Sequence, residues 1–185
     1  MVARDGLGGP RPDLAFVSSL DRLPVIGVVR VHSQSEYGER GRHAQVDRLI
    51  AEHLASQPVV TLPIDTRLDA NLGGLRNASE VAALIGKTDA VVTTRLHGLV
   101  FALRAGVPAA AIDPVAGGAK VAAQARAVGW PHVVTADALN GDALLGLLDD
   151  CLEPAARALA LECAARARTD LEESVRPAFV ASLEA

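Results

Sequence analysis

Aromatic residues are scarce in this chain of 185 residues, where they make up 3% as one Trp, one Tyr and three Phe. Half of the residues are nevertheless apolar, and most of these are Ala, Val and Leu. This composition favours helices packed on a buried sheet over an aromatic-rich β-sandwich. A chain of this length forms one domain, or at most two small ones, and can bury a substantial core.

The chain also lacks an excess of positive charge, because its 18 Lys and Arg are outnumbered by 22 Asp and Glu, which gives a net charge of −4. This balance gives no support for nonspecific nucleic-acid binding, and no block of basic residues points to a membrane surface. No apolar run reaches the roughly 18 residues that a transmembrane helix needs. The first thirteen residues contain no hydrophobic signal core, so we expect a cytoplasmic protein without a membrane span or a nucleic-acid partner.

Cysteine is limited to Cys151 and Cys163. On one straight helix these two residues would lie about 18 Å apart, too far for a disulfide, and a reduced compartment fits them best. No histidine has a partner at metal-ligand spacing, and no glycine-rich segment follows a strand in the G-x-G-x-x-G pattern. We therefore expect no metal site and no cofactor.

What the sequence does contain is a regular alternation of strand-like and helix-like segments. Five apolar segments are typical of strands, at 24–31, 58–64, 89–94, 107–113 and 132–136. Helical spacing or composition is found at 41–56, 77–88, 97–106 and 119–129, with Asn77 as the expected N-cap of the second helix. Residues from about 141 onward are expected to be helical, with a break or kink at Pro154.

This alternation predicts an α/β fold, a Rossmann-like parallel sheet of about five strands with helices on both faces. We divide the chain into an irregular N-terminal remnant at 1–23, a Rossmann-like domain at 24–140, and C-terminal helices at 141–185 that pack on it. Such sheets bind ligands at the carboxyl ends of their strands. Arg95 is expected to end one strand, His97 to open the following helix, and Asp113 to end the next strand.

The Arg95-Leu96-His97-Gly98 segment has the composition of an anion site. A helix N-terminus attracts anions, Arg95 adds a cation suited to phosphate or carboxylate, and His97 can exchange a proton near neutral pH. Gly98 allows close backbone approach. The alternative is structural, with Arg95 paired to a neighbouring carboxylate and His97 bonded to a backbone carbonyl.

The same residues carry a family resemblance. The segment TTRLHGLVFALRAGVPAAAIDPVAGGAKV, with Thr94 to Gly98, Ala105 to Pro108, and Lys120 followed by Val121, resembles the signature of the polysaccharide pyruvyl transferase family. The first strand of that family's C-terminal half typically ends in an Arg, and IGVVRV supplies Arg30.

The resemblance implies one half of a GT-B-like fold, with the active site in the cleft between two Rossmann-like halves. It implies transfer of the enolpyruvyl unit of phosphoenolpyruvate to a sugar or polysaccharide acceptor, ending as a pyruvate ketal in a cell-surface polysaccharide. The donor-binding residues that it implies are Arg30, Arg95, Leu96, His97, Gly98 and Lys120.

Within that set, Arg30 and Arg95 are expected to take one anionic group of phosphoenolpyruvate each, and Arg95 and His97 to be catalytic. His97 would act as the general acid. Lys120 is either a further anion contact or a solvated lysine. His32 and Tyr37 follow the first strand in a loop that either lines the cleft or lies on the surface, and Asp113 either bonds a sugar hydroxyl or pairs with Arg95.

The chain is about half as long as usual members of that family, and it resembles their C-terminal, donor-binding half. We therefore expect self-association or a partner chain that supplies the other half. Two other functions stay open, a non-catalytic Rossmann-like module that binds an anion or a partner, and half of a sugar-nucleotide glycosyltransferase. The acceptor sugar cannot be derived from the residues.

Overall fold

The computed structural model describes residues 13–17, 19–31, 35–69, 71, 73–175 and 179. Its centre is a parallel sheet of five strands in the order β2-β1-β3-β4-β5, which confirms the expected α/β architecture. The strands are β1 (Val25–Val29), β2 (Val60–Pro63), β3 (Ala90–Thr93), β4 (Ala109–Asp113) and β5 (Val133–Thr135). Every residue of β3 and β4 is buried, as expected for central strands that are covered on both faces.

Helices cover both faces of the sheet. They are α1 (His43–Ala55), α2 (Ala78–Ile85), α3 (Leu96–Arg104), α4 (Lys120–Val128), α5 (Gly141–Leu152) and α6 (Pro154–Asp170). The chain winds from β1 to β2 in one direction and back through β3, β4 and β5 in the other, so right-handed crossovers place α1 opposite α2, α3 and α4. The helix α5 contacts α1, β3 and β4, whereas α6 contacts α3 and α4.

The C-terminal segment breaks at the expected place. Glu153 has an extended backbone with φ −64° and ψ 141°, because the ring of Pro154 disfavours a helical conformation in the residue before it. Cys151 and Cys163 consequently lie on different helices, and the distance expected for one straight helix does not apply. Both thiols are buried and free, and burial, with a smaller contribution from Asp150, raises the pKa of Cys151 to about 12.

Local signals explain where several elements begin. Asn77 Oδ1 accepts the Glu80 N–H at 3.0 Å, which confirms Asn77 as the N-cap of α2. At the amino end of β3, the Asp89 carboxylate accepts the Val25 N–H at 2.8 Å and forms an ion pair with Arg22 at 2.7 Å. In the part of the chain that the structure describes, no helix is long and apolar enough to cross a membrane.

Candidate anion-binding site

The carboxyl edge of the sheet gathers the polar residues that were expected there. Val29 at the end of β1 pairs in register with Thr93 at the end of β3, so Arg30 and Arg95 follow neighbouring strands at the same edge. Asp113 is the last residue of β4, the next strand over. The parallel order therefore brings all three to one edge.

The turn from β3 into α3 lies one residue earlier in the chain than the sequence predicted. The strand ends at Thr93, and Arg95 lies beyond it as the N-cap residue of α3, which begins at Leu96 rather than at His97. The Thr93 hydroxyl causes this turn: it accepts the Arg95 N–H at 3.0 Å and donates to the Arg95 carbonyl at 2.9 Å. The Thr94 hydroxyl accepts the Val31 N–H at 2.9 Å, which ties the ends of β3 and β1 together.

Gly98 lets α3 lie directly on the strand ends. A Cβ at this position would overlap the Thr93 hydroxyl and lie 2.8 Å from Val29 Cγ1. Gly98 is buried on the face of α3 that packs against these strand ends, so close packing is by itself a reason for a glycine here. This close approach fixes where the first turn of α3 points.

A pocket of about 250 Å³ opens beside that first turn. It brings together four of the six predicted donor-binding residues, Arg95, Leu96, His97 and Lys120, and it is also lined by Tyr37. Arg30 is exposed at the same edge but does not line the pocket, and neither does buried Gly98. His32 lies outside the described residues.

The N-terminus of α3 is open toward this pocket. Its N-cap residue, Arg95, makes no side-chain capping hydrogen bond, so within the described part of the chain no side-chain cap takes up the N–H groups of the first turn. His97 is exposed on that turn, with its ring tilted against Phe101 at a centroid distance of 6.2 Å. The expected alternative, a bond from the His97 ring to a backbone carbonyl, is not found within the described part of the chain.

The N-terminus of α4 enters the same pocket but is closed by a carboxylate. Asp113 Oδ2 accepts the N–H groups of Ala119 at 2.7 Å and Ala122 at 2.9 Å, and Oδ1 accepts that of Val115 at 3.1 Å. Asp113 is 1% exposed. Its carboxylate therefore serves the backbone, and the expected pairing with Arg95 is not the contact that the structure shows.

A second carboxylate holds the loop that leads into α4. Asp137 accepts the Gly117 N–H at 2.8 Å, and Gly117 and Gly118 have φ values of 78° and 80°, which glycine adopts without strain. The N–H groups of Val115, Gly117, Ala119 and Ala122 on this side of the pocket are thus bonded to Asp113 or Asp137. Sequence reasoning did not identify Asp137, since it lies twenty residues from its partner.

Arg95 pairs with a carboxylate, as the structural alternative expected. Its Nη1 lies 3.6 Å from Asp65 Oδ1, and the two side chains are 22% and 16% exposed. Asp65 follows β2, and β1 lies between β2 and β3. The Arg95 side chain therefore extends from the end of β3 across the end of β1.

Lys120 and Tyr37 form the opposite wall. The Lys120 Nζ lies 5.8 Å from the centroid of the Tyr37 ring, within the range of a cation–π contact. The segment that carries Tyr37 is fastened to the chain after β4, because Arg42 N–H donates to Pro114 at 2.8 Å and Ala116 N–H donates to Arg40 at 2.9 Å. Tyr37 thus lines the pocket at this edge of the sheet.

The described chain has no cluster of metal ligands, and its larger pocket is mostly apolar. The described residues contain no group of three or more His, Cys, Asp or Glu that could hold a metal ion. A larger groove of about 720 Å³ lies between α3, α4 and α6, but its walls are mostly aliphatic and none of the predicted donor-binding residues lines it.

Comparisons with known proteins agree with this fold and identify the family. The sequence model of the polysaccharide pyruvyl transferase family matches residues 12–114, more than half of the chain. No curated protein matches the chain.

Among solved structures, the chain is similar to the crystal structure of CalG4, the calicheamicin glycosyltransferase, at 20% identity and a TM-score of 0.51. The likeness covers 81% of this chain and 41% of that chain. The glycosyltransferase of kitacinnamycin is similar at 17% identity and a TM-score of 0.48, over 85% of this chain and 44% of that one. The likeness to CalG4 gives the chain the fold of one Rossmann-like half of a GT-B glycosyltransferase, and the chain spans less than half the length of either solved structure.

Proposed function

Because this chain belongs to the polysaccharide pyruvyl transferase family, we propose that it binds phosphoenolpyruvate and takes part in its transfer to a sugar hydroxyl pair. The product is a pyruvate ketal on a cell-surface polysaccharide, made in the cytoplasm. The donor binds in the pocket at the first turn of α3. The observation that carries this proposal is an uncapped helix N-terminus with Arg95, His97 and Lys120 in one pocket.

The charges in the pocket suit a small polyanion. Phosphoenolpyruvate carries a phosphate and a carboxylate, and the open N–H groups of α3 and the guanidinium of Arg95 are donors for such groups. Lys120 supplies a second cation from the opposite wall. Arg30, exposed at the end of β1, would act on a ligand large enough to extend beyond the pocket.

His97 is the proposed general acid. Protonation of the methylene carbon of phosphoenolpyruvate makes the central carbon electrophilic, so that one sugar hydroxyl adds to it. Departure of phosphate then allows the second hydroxyl to add, which closes the ketal. The exposed imidazole of His97 at the pocket mouth can deliver a proton to the carbon or to the departing phosphate.

The acceptor and the whole reaction require more than this lobe. The chain covers 41% of a related solved glycosyltransferase, and we propose that a second lobe, from a partner chain or a second copy, completes the cleft. Phe16, Val17 and Leu20 are each more than 80% exposed in the N-terminal segment, and exposed apolar clusters favour association. Light scattering at high concentration tests this, and a strictly monomeric chain would speak against it.

One binding experiment distinguishes the proposed function from the two alternatives, half of a sugar-nucleotide glycosyltransferase and a non-catalytic module. The likeness to CalG4 concerns the fold alone. The N-terminus of α4, where a nucleoside diphosphate could also bind, is occupied by the Asp113 carboxylate. We therefore expect phosphoenolpyruvate to raise the melting temperature of the chain and UDP-sugars not to do so. Stabilisation by UDP-sugars instead would favour a glycosyltransferase half, and a response to other anions but not to phosphoenolpyruvate would favour a non-catalytic module.

Calorimetry with single variants locates the donor. A charge-assisted contact contributes about 1.5–3 kcal/mol, so Arg95→Ala should weaken phosphoenolpyruvate binding roughly tenfold to a hundredfold. Arg104→Ala is the matched control, because Arg104 is an exposed arginine at the other end of the same helix. If Arg95→Ala binds phosphoenolpyruvate as tightly as the parent, the assignment of the site is wrong.

A turnover assay distinguishes the role of His97 from that of the residues that bind phosphoenolpyruvate. Since a general acid contributes about 10²–10⁴-fold in rate, His97→Gln should keep phosphoenolpyruvate binding but lose most of the acceptor-dependent release of phosphate. The assay requires the second lobe to be present. A His97→Gln protein with parental turnover would remove His97 from the mechanism.

A further inference from the structure

The Asp65–Arg95 pair differs from a surface ion pair. Both side chains are mostly buried, so solvent screens their interaction less than it screens an exposed pair. On the same loop, Arg67 pairs with Asp69, which is 72% exposed. The loop after β2 thus places one acidic residue against Arg95 and another, mostly exposed, against Arg67.

Asp65 is itself held in place by its loop. Its Oδ1 accepts the Arg67 N–H at 2.9 Å. The Asn71 side-chain amide donates to the carbonyls of Asp65 at 2.8 Å and Arg67 at 2.6 Å. The carboxylate therefore presents a fixed partner to the flexible Arg95 side chain, and most of the bonds that hold the loop do not involve that carboxylate.

We propose that Asp65 is a positioning residue that fixes the Arg95 guanidinium across the end of β1 and so prepares it for the anion. This inference rests on the proposed function, in which the anion contacts Arg95. A guanidinium has five N–H donors, so one edge can face Asp65 while another faces the pocket. An arginine that is already ordered loses less side-chain entropy on binding than a free one.

The proposal predicts whether the loss of the Asp65 charge strengthens or weakens anion binding. Coulomb's law alone says that removal of a negative charge near the site strengthens the binding of an anion. If Asp65 positions Arg95, the same change should weaken anion binding, because the ligand must then order the freed guanidinium. Asp65→Asn should therefore weaken the binding of inorganic phosphate and phosphoenolpyruvate by about three- to tenfold, the cost of ordering one long side chain.

A double-mutant cycle by calorimetry tests whether Asp65 acts through Arg95. In an Arg95→Ala background, Asp65→Asn should leave the affinity unchanged or raise it, since only the loss of repulsion remains. Asp69→Asn is the matched control, because it removes the same charge from the same loop without touching Arg95. Asp65→Ser, whose hydroxyl can also accept the Arg67 N–H, is a second variant with the same prediction. The melting temperatures of all variants show that they are folded.

The outcomes separate this inference from the proposed function. If Arg95→Ala weakens binding but Asp65→Asn and Asp65→Ser bind as tightly as the parent or more tightly, Asp65 does not position Arg95. An equal loss from Asp65→Asn with and without Arg95 would also overturn the inference, because it would reveal a general structural effect. If Arg95→Ala itself has no effect, the proposed donor site is wrong, and the role of Asp65 falls with it.

Discussion

Two helices of this molecule, α3 and α4, begin at the same pocket, but within the described residues only α4 has a side-chain cap at its N-terminus. The first turn of α4 is closed by the buried carboxylate of Asp113, whereas the first turn of α3 has no side-chain cap. Both helices follow central strands of one parallel sheet. The fold alone therefore does not decide which helix end receives an anion.

The last residue of each strand makes the difference. β4 ends in Asp113, which reaches forward to the N–H groups of Ala119 and Ala122. β3 ends in Thr93, whose hydroxyl bonds to the backbone of Arg95 and leaves the helix donors open. Closing one terminus with a negative charge directs an incoming anion to the other, since like charges repel.

The largest effect is expected from Gly98, on which the position of the open terminus depends. Gly98→Ala places a methyl group against Thr93 and Val29, and such overpacking should lower the free energy of unfolding by about 3 kcal/mol. Urea denaturation measures this change. Gly146→Ala in α5 is the control, because a Cβ there meets nothing within 4 Å, and it should be neutral or slightly stabilising.

Removal of the charge that caps α4 should have the next largest effect on the free energy of unfolding. Asp113→Asn takes away the charge from three hydrogen bonds at a buried site, and we expect a loss of about 2 kcal/mol in unfolding free energy. Asp142→Asn, at an exposed position in the first turn of α5, should cost well under 1 kcal/mol, roughly the size of an exposed helix-dipole contact. Equal stability of the Asp113→Asn protein and the parent would show that Asp113 does not cap α4.

Thr93→Val should have a smaller effect on stability. It keeps the shape of the side chain but removes the hydroxyl that bonds to both backbone groups of Arg95. We expect a loss of about 1 kcal/mol, together with weaker binding of phosphate because Arg95 is no longer held at the N-cap. Thr61→Val, at an exposed position in β2, is the control, and an equal response from both variants would contradict a special role for Thr93.

An effect of about the same size as that of Thr93→Val concerns pH and the opposite end of β3. Burial of Asp89 opposes its ionisation, but the Val25 N–H bond and the ion pairs with Arg22 and Arg157 outweigh it, so the pKa of Asp89 lies below its ordinary value of 3.8. The resulting stabilisation is present above that value and is lost as the pH falls below it. Asp89→Asn should lose about 1 kcal/mol at pH 7. Its stability should fall less than that of the parent between pH 5 and 3, and parallel pH profiles would count against this account.

Much of the fold could be predicted from the sequence because its signals are local. The apolar run at 89–94 and the helical spacing after it are enough to define β3 and α3 to within two residues. The break at Pro154 follows from the geometry of its ring. The parallel order then brings Arg95 and Lys120 into one pocket.

The contacts that distinguish the two helix ends could not be predicted, because their partners are far apart in the sequence or depend on which way a side chain turns. Asp65 is thirty residues from Arg95, and Asp137 is twenty from Gly117. Asp113 had two expected partners, a sugar hydroxyl and Arg95, but the structure gives it the α4 backbone. One signal was available: an Asp at a strand end, six residues before the N-cap position of a helix that has no capping side chain of its own, is suited to cap that helix.

The most direct test of the two helix ends is a titration of the isotope-labelled protein with phosphoenolpyruvate, followed by the NMR shifts of the backbone amides. The account predicts saturable shifts at Leu96, His97 and Gly98 in the first turn of α3, and little change at Ala119 and Ala122, whose N–H groups are bonded to Asp113. Shifts at Ala119 and Ala122 without shifts at the start of α3 would contradict it.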